Sequence, residues 1–233
     1  MKKRLSILFI ILVSLTLFLN CKEKGRISDT EFEQAVIYEI FPTILDSIHQ
    51  DKRLIPPPPP PPSYIDSNGK EFKSDSTRFL ISMEKWKKRK KIILKNNAPI
   101  YLSIQDSVLS FEENDSIELI KHFKNKNLKL ASNDLANRYK LDLSRLRANE
   151  GNIRFKYQSE FPKGREFWKT KYDFYLAASI AITRIQFDIS KTHGVLSAGY
   201  NMGLLNGIGV RIFIIKDEKG KWIIDDIVGT WIS

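Results

Sequence analysis

Two turn signals, Asn206-Gly207 and Asp217-Glu218-Lys219-Gly220, cut the end of this chain into three runs in which apolar and polar residues alternate. Alternation with period two is the pattern of a strand with one buried face. Asn-Gly suits a two-residue type I′ hairpin, because both residues tolerate positive φ. Strands are therefore expected over 194–205, 208–216 and 221–231, adjacent and antiparallel. Ile153–Tyr157 and the apolar stretch Phe174–Phe187 extend the strand signal upstream. Gly199, Gly203, Gly207 and Gly209 lie inside or at the tips of these runs, where glycine marks a bulge, a bend or close approach of another group. They predict a strongly bent sheet whose apolar face needs a cover.

The N-terminal half supplies that cover. Ser28 and Glu31 form a capping-box pattern, and Phe32, Val36, Ile37, Ile40, Ile44, Leu45 and Ile48 follow at helical spacing. A helix is expected from Asp29 to His49, kinked or divided at Pro42, which lacks a backbone donor. Seven prolines, Pro56–Pro62, form an extended spacer of about 20 Å at roughly 3.1 Å per residue within a Pro-rich loop over 51–74. Asp75 is the expected cap of a second helix reaching Leu94, with Phe79, Met83, Trp86 and Ile93 as its buried stripe. Short strands are expected at Pro99–Ile104 and Val108–Phe111, a short helix from Asp115 to Phe123, and another helix near Ala131–Tyr139. The fold class that follows is α+β, one domain across 28–233. N-terminal helices pack on a curved antiparallel sheet formed mainly by the C-terminal third.

Cys21 is the one cysteine of the chain, so no disulfide supports this domain. It follows Lys2-Lys3-Arg4 and the apolar run Leu5–Leu19. That run is shorter than the ~20 residues a spanning helix needs, and Ser6, Ser14 and Thr16 dilute it. It reads as a signal peptide over 1–20, followed by a polar tether over 21–27, with an uncleaved helical anchor and plain secretion as the alternatives. Leu17-Phe18-Leu19-Asn20-Cys21 resembles the lipobox of bacterial lipoprotein precursors, with Phe18, Leu19 and Asn20 where the usual pattern has leucine and two small residues. The resemblance implies lipid attachment at Cys21, the membrane as a partner through N-terminal acyl chains, and a place in the cell envelope. Lys22 stands where an aspartate would signal inner-membrane retention, which favours the outer membrane. Arg184–Ser233 also resembles the end of a group of uncharacterised bacterial envelope lipoproteins. It does so through Arg184-Ile185-Gln186-Phe187-Asp188, Gly203, Gly207, Gly209, Gly220-Lys221-Trp222 and Trp231-Ile232-Ser233. The meander is loosely similar to cystatin-like and nuclear-transport-factor-like sheets, a likeness of fold that assigns no function.

The formal net charge is +11, of which Lys2, Lys3 and Arg4 supply three. Residues 173–233 are balanced, so the excess lies in the middle of the chain, above all at Lys85, Lys87, Lys88, Arg89, Lys90 and Lys91. For an exported protein the matching polyanion is an anionic lipid or another envelope polymer, not nucleic acid. The plainer reading of the same cluster is a solvated helix face.

Candidate chemistry is sparse. The four glycines lack the Gly-Lys-Ser/Thr and the strand–turn–helix context of phosphate-binding loops. Asp188, Ser190 and His193 place an acid, a hydroxyl and an imidazole together, without a nucleophile elbow; the segment reads as a turn. Glu118 and His122 stand four apart on a helix, too few for a zinc site. Asp225 and Asp226 are adjacent in a strand and point to opposite faces. Trp222, Trp231, Phe213 and Tyr200 read as core or rim of the sheet. No catalytic residue, cofactor site or metal site is assigned. The expected function is a lipid-anchored envelope protein of structural or binding role. The alternatives are an envelope hydrolase using Asp188 and His193, and a carrier of a small apolar ligand in the sheet's concavity.

Overall fold

The computed structural model describes residues 28–72, 76–132 and 136–233. The readings that fall on Cys21, the signal peptide, the tether and the cap at Asp75 lie outside these residues. Helix α1, Asp29–Ile48, opens on the expected capping box: Ser28 Oγ accepts from the Glu31 amide at 3.2 Å, and Glu31 accepts from the Ser28 amide at 3.0 Å. Two of the orphan donors of the first turn are satisfied in this way. The helix runs undivided through Pro42. Ile37, Ile40 and Phe41 before the proline and Ile44, Leu45 and Ile48 after it are all buried on the same sheet. Shared packing holds both halves together despite the missing donor.

The main sheet runs in the order β4-β3-β5-β7-β8-β9, with β6 beside β7. Its strands are β3 (Ile100–Ile104), β4 (Ile153–Tyr157), β5 (Tyr175–Ile182), β6 (Gln186–Phe187), β7 (His193–Gly203), β8 (Asn206–Lys216) and β9 (Trp222–Ile232). β7, β8 and β9 form the expected antiparallel meander, and β4 spans the expected residues. The fold is α+β, with N-terminal helical cover on a mostly antiparallel sheet. β3 inserts between β4 and β5 and is parallel to both. Val108–Phe111 forms no strand; Leu109 makes a single bridge to Thr183.

Three further expectations are corrected. The β7–β8 turn is Leu204-Leu205, with Gly203 paired to Asn206, instead of Asn206-Gly207. Gly207 and Gly209 lie within the strand, where a Cβ on Gly209 would collide with the Trp231 indole and one on Gly207 with Asn201 Oδ1. Residues 131–132 and 136–139 are not helical. The neighbouring backbone is claimed by the sheet instead, through Ala131 N–H to the Phe187 carbonyl at 2.9 Å and Ile189 N–H to the Lys129 carbonyl at 2.8 Å. The loop over 51–74 holds a small hairpin, β1 (Tyr64–Ile65) with β2 (Glu71–Phe72). Asp66 closes it by accepting from the Asn68 and Lys70 amides, and Gly69 supplies the positive φ. Pro56–Pro62 form neither helix nor strand.

Leu102 of β3, Ile180 of β5, Leu196 of β7 and Ile212 of β8 lie in the larger core with α1, as does Ile153 of β4. Glu33 of α1 is buried there and accepts from Arg184 Nε and Nη2, the Ile185 amide and the Tyr139 hydroxyl. Burial, with the adjacent Glu33 charge, pushes the Tyr139 hydroxyl far above its ordinary pKa. The opposite face is partly covered by α3 (Glu113–His122), through Leu119 on Val195 and Phe213. Helix α2 (Ser76–Asn96) differs from both. Phe79, Met83, Trp86 and Ile93 form the expected stripe, yet they are only half-buried, and α2 has no fully buried residue. Its neighbours include the short 3₁₀ turn Lys52–Leu54. A short helix, α4 (Glu166–Lys169), follows β4. No helix among the described residues is long and apolar enough to cross a membrane.

Candidate functional site

The candidates picked from sequence do not converge. Asp188 accepts from the amides of Ser190, Thr192 and His193 and from the Ser190 hydroxyl. Burial works against its charge, but those bonds prevail and hold its carboxyl below the usual range. His193 Nδ1 meets Thr192 Oγ1 at 2.9 Å, and its ring lies edge-on to Phe123 at 4.7 Å. The carboxylate thus braces the β6–β7 turn and does not orient an imidazole. Glu118 pairs with Lys121, whereas His122 bonds Asp225 at 2.6 Å and stacks on Phe213 at 3.9 Å. Asp225 sits where β9 bulges against Phe213 and Ile214, while Asp226 accepts from the Ile227 amide. No three potential metal ligands come together among the described residues. Trp222, Tyr200 and Phe213 are core, and Trp231 is rim, 44% exposed.

The structure instead opens a cleft of about 560 Å³ on the sheet face away from α1. Gln105 and Asp106 follow β3, and Gln158 and Ser159 follow β4, so the parallel pairing sets the two strand ends side by side. Ser179 of β5 and Asn201 of β7, register partners, form the floor. The far wall is the segment 161–168. Phe161 and Phe167 are buried there with ring centroids 5.1 Å apart, and Phe167 meets Trp168 edge-on at 4.7 Å. The indole of Trp168 is half-buried against this support and borders the cleft. Gly164 turns the wall with φ +64°, where other residues would be strained.

Asp106 ties the two strand ends together, accepting from the Ser159 amide at 2.9 Å and the Ser159 hydroxyl at 2.6 Å. Partial burial opposes its charge, but these bonds and the Lys140 ammonium keep its carboxyl below the ordinary range. The side chains of Gln105, Gln158, Lys163, Ser179 and Asn201 make no hydrogen bond or ion pair to other described residues. The hydroxyl of Ser103, the register partner of Ser179, is shielded from solvent and also lacks a partner. Sequence reasoning missed this cleft. Its residues come from four separated segments, and only the strand ends at 104 and 157 hinted at any of them.

The basic cluster forms the other surface of note. Lys85, Lys87, Lys88, Arg89 and Lys91 are exposed on α2 and make no ion pair with described residues, while Lys90 lies 5.0 Å from the Trp86 ring. Leu80, Ile81, Ile92 and Leu94 on the same helix are 50–62% exposed.

Comparison with family models, with curated proteins and with solved structures finds no significant match to this chain.

Proposed function

We propose that the protein is a lipid-anchored component of a bacterial cell envelope, outer-membrane by preference, with a binding or structural role. Acyl chains on Cys21 provide the anchor, and α2 rests on anionic headgroups. The observation that supports this most is the outward side of α2. Ile81, Lys85, Lys88, Ile92 and Lys95 recur at spacings of three and four, which places them on one stripe opposite Phe79, Met83, Trp86 and Ile93. That stripe alternates cations with isoleucines, which suits a helix lying at a headgroup boundary. Each Lys or Arg near an anionic surface contributes about 1 kcal/mol, so α2 reinforces an acyl anchor without replacing it.

Transformation of a ligand has less support than binding. Asp188 and His193 are engaged in a turn, and α1 fills the concavity that an apolar ligand would need. Metabolic labelling of producing cells with a palmitate analogue tests the anchor: the wild-type chain takes the label and Cys21→Ala does not. An unlabelled wild-type chain overturns the reading.

A further inference from the structure

We infer that the cleft beside Trp168 is a binding site for a neutral saccharide, a ligand class that the anchor and the basic helix say nothing about. The argument starts from what is unsatisfied. Gln105 and Gln158 each line the cleft with an amide that both donates and accepts, as does Asn201, whose Oδ1 lies against Gly207, and none of the three makes a hydrogen bond with other described residues. Adjacent hydroxyls of a sugar ring need such groups, because each hydroxyl also donates and accepts. Asp106, kept ionised and already fixed by Ser159, adds a pure acceptor at the same rim. Trp168, backed edge-on by the buried Phe167, presents a rigid apolar surface to the same space. The C–H face of a pyranose fits a surface of that kind.

Other ligand classes fit less well. A fatty chain would leave three amides buried without partners, at a cost for each. A phosphorylated ligand would meet one cation, Lys163, and one carboxylate, Asp106, in the same lining. An extended peptide is normally captured through backbone pairing at a free sheet edge. Here the backbone of β5 is already paired on both sides, to β3 and to β7, so recognition falls to side chains. The volume lies in the range of small-ligand pockets. Most glycosidases use two carboxyl groups, whereas Asp106 is the one carboxylate among the described residues lining the cleft. The proposed role of the site is therefore to hold a glycan.

Calorimetric titration of the full chain, in a nonionic detergent without sugar headgroups, tests this with chitotriose, cellotriose, maltotriose and trialanine. At least one trisaccharide is expected to bind with a dissociation constant in the millimolar range or tighter, and trialanine is not. Trp168→Ala is expected to weaken that binding on the order of tenfold, with Trp168→Phe intermediate and Asn201→Ala also weakened, at unchanged melting temperature. Should Trp168→Ala fail to fold, Trp168→Phe and Asn201→Ala carry the test. Absence of binding to all three trisaccharides, tighter binding of trialanine, or saccharide binding indifferent to Asn201→Ala and the position 168 variants overturns the proposal. An unlabelled wild-type chain in the palmitate experiment would leave this site untouched, so the two ideas fail separately.

Discussion

Helices α1 and α2 are nearly the same length, 20 and 21 residues, and each carries apolar residues at helical spacing. In α1 eight residues are buried, and they include Glu33, whose carboxyl group accepts from Arg184, the Ile185 amide and the Tyr139 hydroxyl. In α2 none is buried, and four large apolar side chains lie half or more in solvent. Periodicity therefore specifies a helix in both cases but does not say what covers it. What separates them is charge. The exposed side of α1 mixes acids with a few polar residues, whereas α2 concentrates cations between its apolar positions. Packing within the domain accounts for α1. Among the described residues it leaves four large apolar side chains of α2 exposed, the surface that the proposed headgroup contact would cover.

Truncation should break the symmetry between the two helices most clearly. Phe41→Ala removes a fully buried ring and is expected to cost about 3–5 kcal/mol in urea unfolding. Glu33→Gln should cost about 3 kcal/mol, because it removes the buried carboxylate to which Arg184 Nε and Nη2 both donate. Combining it with Arg184→Met should recover part of that loss, which a double-mutant cycle would measure. A purely additive cycle would mean the pair contributes nothing specific. Gly209→Ala drives a methyl group into the Trp231 indole, and since that ring is a rim residue able to shift, about 1–3 kcal/mol is expected.

A smaller effect should appear at the C-terminal end of α1. His49 Nδ1 meets the Tyr200 hydroxyl at 2.6 Å and Nε2 is shielded without a partner. Burial lowers the His49 pKa, with Arg53 acting in the same direction and Glu150 and Asp51 opposing. A depressed native value means that the unfolded chain binds the proton more readily. The stabilisation is complete above about pH 6.5 and is lost as pH falls below it toward the lowered native value. His49→Asn should flatten that part of the melting-temperature profile. The smallest effect belongs to α2, where Leu80→Ala should change stability by less than about 0.5 kcal/mol. A loss of several kcal/mol there would show that α2 belongs to the core and would erase the contrast.

Local chemistry made much of the fold legible. Ser28 and Glu31 marked the start of α1, alternation marked β4, and Asp217 with Gly220 marked the β8–β9 turn, where Asp217 accepts from the Lys219 and Lys221 amides. Non-local competition hid the rest. Asn206-Gly207 is a good local turn, but Trp231 from β9 lies over Gly209 and Asn201 Oδ1 crowds Gly207, so both glycines are taken up in the strand. β3 carries only five residues, and nothing in them shows that two distant strands will flank it in parallel. The cleft was hidden for the same reason, since Asp106, Ser159, Trp168 and Asn201 become neighbours only through that pairing.

Hydrogen–deuterium exchange on the full chain, reconstituted into zwitterionic and into anionic bilayers, tests the contrast between the helices most directly. α1 should exchange slowly in both bilayers. α2 should exchange quickly in the zwitterionic bilayer and slow markedly in the anionic one, and replacing Lys85, Lys88 and Lys95 by glutamine should remove that slowing. Equal protection of α2 in both bilayers would contradict the account.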